Sequence, residues 1–152
     1  MKTIEDEIKQ NKQIASVYEK LVVNILFTNN WVVAEHNKLL KKHELTIQQY
    51  NVLRILRGQY PNAVNVNGIT ERMIDRMSNV SRLIDKLILK KLVQRSINPN
   101  DKRVMDVKIN DNGLNVLEQI DSDMATWETN FHTLSHTEAL HLNLLLDKLR
   151  AS

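Results

Sequence analysis

Apolar residues recur every three or four positions at Ile14, Val17, Leu21 and Ile25, and Tyr18, Val22 and Leu26 widen the stripe. This spacing predicts a long first helix, apolar over much of its circumference and in need of partners on several sides. Thr46-x-x-Gln49 reads as a capping box opening a second helix through Tyr50, Leu53 and Leu56 or Arg57, ending near Gly58, before Pro61 and Asn62 force a turn. A short helical stretch is expected from Asn67 to Met73, and Asp75 is placed to N-cap a longer helix from Arg76 to about Lys90. In that helix Val80, Leu83, Ile84, Leu87 and Ile88 make one apolar stripe, with Arg76, Asn79, Arg82 and Lys86 mainly off it. The period then changes to two: Val93, Arg95 and Ile97 alternate with Gln94 and Ser96, and Met105, Val107 and Ile109 alternate with Asp106 and Lys108. Asn98-Pro99-Asn100-Asp101 between them is turn chemistry, so a hairpin with a basic tip is predicted. Asn110 is a plausible cap for a long amphipathic helix carrying Leu114, Leu117, Ile120, Met124, Trp127 and Phe131, and Ser135-x-x-Glu138 opens a last helix with Leu140, Leu144, Leu145 and Leu149.

Composition narrows the class. With three Gly and two Pro in 152 residues there is little punctuation for the many turns of a sandwich or barrel, so the fold class is mainly α with a small β-hairpin wing. The absence of Cys removes disulfides, thiolate metal sites and cysteine nucleophiles, and fits a reducing cytoplasm. The first dozen residues have no apolar h-region, which argues against a secretory signal. The most apolar stretch, Leu21 to Ala34, is interrupted by Asn24, Thr28, Asn29 and Asn30 and is too short for a membrane span.

Net charge is only +3, but residues 71–103 hold nine Lys/Arg against four Asp/Glu, whereas the rest of the chain holds twelve against fourteen. The basic excess is confined to one segment, and a local field of that kind attracts a polyanion. Short helix, tight turn, helix with a polar face, then basic hairpin is the organisation of a winged helix-turn-helix. A helix fits the major groove, where Asn and Arg meet base edges while flanking cations neutralise phosphates. The candidate DNA contacts are therefore Arg76, Ser78, Asn79, Ser81, Arg82 and Lys86 on the recognition helix and Arg95, Asn100, Asp101, Lys102 and Arg103 on the wing. The apolar arms at the two ends exceed what a small central domain can cover, so they are expected to pack on a second copy. This divides the chain into N-terminal helices (1–44), a DNA-binding domain (45–112) and C-terminal dimerisation helices (113–152).

The ordered set Leu45-Thr46-x-x-Gln49-x-x-Val52-Leu53, Ser78-Asn79-Val80-Ser81-Arg82-Leu83-Ile84-Asp85-Lys86-Leu87, Leu92-Val93-x-Arg95, Asn98-Pro99-Asn100-Asp101-Lys102-Arg103 and Val107-x-Ile109-Asn110-x-x-Gly113 resembles the MarR family of bacterial transcription regulators. Each motif is weak alone; their order and spacing carry the resemblance, which covers almost all of the chain beyond the first dozen residues. It implies a homodimeric regulator, most often a repressor, that binds a short pseudopalindrome of double-stranded DNA and is often released by a small aromatic or anionic effector. It also implies that Arg103, oriented by Asp101, enters the minor groove, where a narrow A-tract would attract it. Trp31 and His36 lie where family members often bind effectors, with core packing the competing role for Trp31. Lys91 stands where the family commonly has Gly, so the turn into the wing is expected to be distorted or the helix longer.

Rival readings have less behind them. His132, His136 and His141 have spacings that suggest metal ligands, but Ser135 starts a new helix between the first two and no Cys helps; no metal and no cofactor is expected. No Gly-rich phosphate loop, Gly-x-Ser-x-Gly elbow or His-Glu-x-x-His motif is present, so no enzyme is expected. The alternative is a winged-helix adaptor that docks proteins through the wing.

Overall fold

The computed structural model describes residues 2–151 and divides into two compact units, with the boundary in sequence between Ile47 and Gln48. In the first unit, α1 (Ile4–Glu7) is closed by a capping box between Thr3 and Asp6, and α2 (Val17–Lys41) is capped by Ser16, whose hydroxyl accepts from the Glu19 amide. Lys20 of α2 pairs with the buried Glu5 of α1 at 2.8 Å. Helix α2 turns off through Glu44, held in the left-handed region at φ 54°, and the Leu45 amide returns to the Leu40 carbonyl.

The second unit holds most of α3 (Ile47–Gln59), then β1 (Val64–Asn65), α4 (Val66–Thr70), α5 (Val80–Leu89), β2 (Val93–Ile97), β3 (Met105–Ile109), α6 (Asp111–Glu128), a 3-10 turn (Thr129–Phe131) and α7 (His136–Arg150). The sheet is antiparallel in the order β1-β3-β2; Val93 faces Ile109 and Ile97 faces Met105 across the hairpin, and Val64 faces Val107 on the other edge. The fold is thus mainly helical with a small winged sheet, as the change of period from 3.6 to two predicts. Its core is built from Val52, Leu53 and Leu56 of α3, Ile69 of α4, Ile84 and Leu87 of α5, Val107 and Ile109 of β3, and Leu117 and Ile120 of α6, all essentially inaccessible. Helix α7 buries no residue.

Two expectations are corrected. The helix expected from Arg76 begins at Val80, because Asp75 spends its carboxylate on the Met77 amide in a tight Asx turn and Asn79 takes over as the cap, accepting from the Arg82 amide. The short helix is Val66–Thr70 rather than Asn67 to Met73, with Asn65 capping it through the Gly68 amide. Strand β1 went unread, since two residues are too few to show an alternation.

The turn from α5 into β2 is made at Lys91, which adopts φ 58°, so the left-handed residue is present without glycine and α5 is neither extended nor distorted. The Lys91 carbonyl accepts from the side-chain amides of Asn110 (3.0 Å) and Asn112 (3.3 Å). Gly113 is required by space: a Cβ there would lie 2.4 Å from the Leu92 carbonyl oxygen and 2.6 Å from an Ile109 side-chain carbon.

Candidate nucleic-acid interface

Helix α5 separates its faces as its pattern demands. Val80, Ile84 and Leu87 are buried, and Ser81, Arg82, Asp85, Lys86 and Lys90 are exposed. The turn before it is tied down at both ends: the Asn51 side chain accepts from the Ile74 amide at 2.9 Å, and Asp75 accepts from the Met77 amide at 3.0 Å. That amide, assisted by the Ser78 hydroxyl, holds the Asp75 carboxyl below its ordinary value. One groove is lined by Gln48, Asp75, Ser78, Asn79, Arg82, Leu83 and Lys86, which brings the first helix of the motif, the turn and the second helix to one surface.

The candidate residues do not all present themselves equally. Arg82 and Lys86 are exposed and form no ion pair among the described residues. Ser78 is half-buried with its hydroxyl oxygen inaccessible, and the carbonyl oxygen of the Asn79 side chain is committed to capping α5. Arg76 donates to the Glu71 carbonyl, as Arg72 does to the Gly68 carbonyl at 2.6 Å. Ser81 faces a second cleft together with Asn65, Val66 and Asn67 of the α4 region and Arg103, Val104 and Met105 of the wing, so α5 and the wing share one surface.

In the wing, Asn98 organises the loop. Its side-chain oxygen accepts from the amides of Asn100 (2.8 Å) and Asp101 (3.1 Å), while its side-chain nitrogen donates to the buried Asp106 at 2.8 Å. Asp101 orients Arg103 through the main chain, accepting the Arg103 amide at 2.9 Å. Lys102 and Arg103 are exposed, with no ion pair among the described residues. Arg95 is different: its guanidinium pairs with Asp85 of α5 at 2.9 Å.

Trp31 and His36 lie on α2 in the first unit, Trp31 exposed and His36 half-buried. Among the described residues no group of three His, Cys, Asp or Glu is placed to hold a metal, with His132 just past the 3-10 turn and His136 opening α7. No described helix is long and apolar enough to cross a membrane. Asn51, Gln48, Ile74 and Met77 were missed in the sequence; Asn51 sits inside a regular helix pattern, and its grip on the turn 23 residues later leaves no local signal.

The sequence profile of the MarR family matches residues 45–105, spanning α3 to the start of β3. Over that stretch, about two fifths of its length, the chain is similar to the MarR family. Among curated relatives, the HTH-type transcriptional regulator MhqR of Bacillus subtilis is 30% identical over 91 residues, covering 59% of this chain and 60% of that protein. The transcriptional repressor IacR of Pseudomonas putida is 25% identical over 111 residues, covering 72% and 65% respectively. The chain thus spans roughly three fifths of the length of these relatives. A MarR-like transcription regulator from Bacillus cereus superposes with a TM-score of 0.78 at 22% identity, over 88% of this chain and 95% of that one. A mutant of MarR from E. coli solved with operator DNA superposes at 0.77 and 23% identity, over 90% and 99%. The relatives so found are transcription regulators rather than enzymes, and the last two likenesses show a shared MarR fold.

Proposed function

We propose that this chain is a MarR-family, sequence-specific regulator of transcription that binds double-stranded DNA as a homodimer, acts as a cytoplasmic repressor and is released by a small aromatic or anionic effector. The observation that carries the reading is the pairing of two exposed cation sets, Arg82 and Lys86 on α5 with Lys102 and Arg103 on the wing, on elements that share one surface. Residues 45–112 are the DNA-binding part, with α5 in the major groove and Arg103 in the minor groove. Residues 1–44 and 113–152 supply the dimer contacts. In support, α2 exposes Val17, Tyr18, Val22 and Leu26 and α7 exposes Leu140, Leu144, Leu145 and Leu149, more apolar surface than a monomer keeps in water.

A two-fold dimer would set the two α5 helices about 34 to 36 Å apart, one helical turn of DNA. Half-site spacing is then the control variable, and an effector that prefers a conformer of different spacing weakens DNA binding by its differential affinity alone. The solved structure of Bordetella bronchiseptica BpsR, 25% identical with a TM-score of 0.69, concerns regulation of that protein's DNA binding by 6-hydroxynicotinic acid, which supports looking for a ligand of this class. Selection of bound duplexes from a random pool tests the reading: a recovered palindrome with steeply salt-dependent affinity is expected. A chain that retains no duplex at low salt is instead the protein-docking adaptor.

A further inference from the structure

The turn between α4 and α5 carries two apolar side chains in water. Met77 is 93% exposed and Ile74 is 86% exposed, while Met73 beside them is buried at 2%. These two are not held out by a loose loop. The Ile74 amide is fixed by Asn51, the Met77 amide by Asp75, and the Ser78 amide returns to the Asp75 carbonyl at 3.2 Å. Folding therefore orders this backbone without gaining any burial at Met77, which lies two residues before the cap of α5.

The surroundings say what covers it. Arg82 and Lys86, with Asp75 as the one carboxylate beside them, line the groove next to the turn, and Arg72 and Arg76 flank it in sequence with their guanidinium groups on main-chain carbonyls, so cations outnumber acids around it, a setting that favours a polyanion over an apolar protein face. A duplex offers one apolar group in its major groove, the thymine 5-methyl. On the reading of this face as the DNA interface, we infer that Met77, with Ile74 beside it, packs on thymine methyl groups in each half-site and so selects T over C at those positions. The unbranched thioether suits the task because it adapts to a methyl without a demanding hydrogen-bond geometry.

The test replaces thymidines of the selected operator one at a time by deoxyuridine, which removes the methyl and leaves base pairing intact. For the wild-type chain, one position in each half-site is expected to lose roughly fourfold in affinity, the value of one buried methyl group. Met77→Ala is expected to bind the thymidine and deoxyuridine operators alike, and Met77→Leu to recover the discrimination; thermal unfolding at the wild-type midpoint shows that the exposed substitutions leave the fold intact. Wild-type binding indifferent to deoxyuridine at every position overturns the inference while the DNA reading stands. Failure of the wild-type chain to bind any duplex overturns both.

Discussion

Arg95 of β2 and Asp85 of α5 are joined by an ion pair of 2.9 Å, which ties the first wing strand to the exposed side of that helix. A cation in that position has two possible partners, a phosphate or a carboxylate, and here the carboxylate holds it. The pair offers the arginine a role within the domain, as a tie between the wing and α5.

This assignment separates two outcomes. If Arg95 is a strut, Arg95→Ala and Asp85→Ala lower stability by similar amounts, each under about 1 kcal/mol for a partly exposed pair, and each weakens DNA binding by a small factor. If Arg95 is instead a phosphate contact, Arg95→Ala alone lowers the salt slope by about one and Asp85→Ala strengthens binding. A double-mutant cycle on thermal unfolding, with salt titrations of DNA affinity, distinguishes them.

Arg82 and Lys86 are one helical turn apart on the exposed face and are expected to differ in kind. On the proposed DNA reading, Arg82, nearer the helix N-terminus, reads a base edge; Arg82→Ala should then cost about 1 to 3 kcal/mol on the preferred site and relax specificity there. Lys86→Ala should weaken all sequences alike and reduce the salt slope by about one. Equal curves for the wild type and both variants would remove α5 from the interface.

Much of this arrangement was legible because periodicity and turn chemistry are local. The Asn110 and Ser135 caps, the hairpin register around Asn98 to Asp101 and the apolar stripe of α5 all appear where the spacing puts them. The misreadings have physical causes. Asp75 and Asn79 both offer cap chemistry, and only the three-dimensional turn, with Asn51 holding Ile74, decides that Asn79 starts the helix. The commitment of Arg95 to Asp85 is a contact between elements that no spacing rule contains. Lys91 reads as a missing glycine, whereas two asparagine side chains on its carbonyl secure the left-handed turn.

That turn predicts opposite signs for two glycine-related changes. Lys91→Gly removes the strain of a side chain at φ 58° and adds freedom to the unfolded chain, so a net gain of at most about 1 kcal/mol is expected. Gly113→Ala drives a methyl into the Leu92 carbonyl, which is main chain and cannot swing aside, so a loss of about 1 to 3 kcal/mol is expected. Chemical denaturation of the two variants checks both; a stable Gly113→Ala protein would contradict the close packing at the base of the wing.

The turn before α5 also has a pH dependence of defined sign. The Met77 amide lowers the Asp75 carboxyl from its ordinary 3.8, so the carboxylate's contribution to the turn is complete above that value and is lost as pH falls through the lower folded-state value. At neutral pH the contact is fully formed. Amide exchange at Met77 should therefore accelerate only in acid beyond the pH-dependent chemistry of exchange itself. In Asp75→Asn, which keeps an acceptor oxygen but no titrating proton, that acid step should vanish.

Helix α7 supplies the sharpest test of the dimer. Leu144 is 67% exposed and Leu140 and Leu145 about half, although the helix is fully capped and its sequence is apolar at these positions. Burying one such leucine against a second copy is worth about 1.5 to 3 kcal/mol, and a carboxylate in its place would have to be buried unpaired. Leu144→Asp is therefore expected to give a folded monomer by sedimentation, because the side chain contributes nothing to the core of its own chain. Its affinity for a palindrome should fall steeply while its affinity for a single half-site stays near that of the wild type, since the charge lies on α7 and not on α5 or the wing. A Leu144→Asp protein that remains dimeric would exclude α7 from the interface and leave the exposed stripe of α2 to supply it.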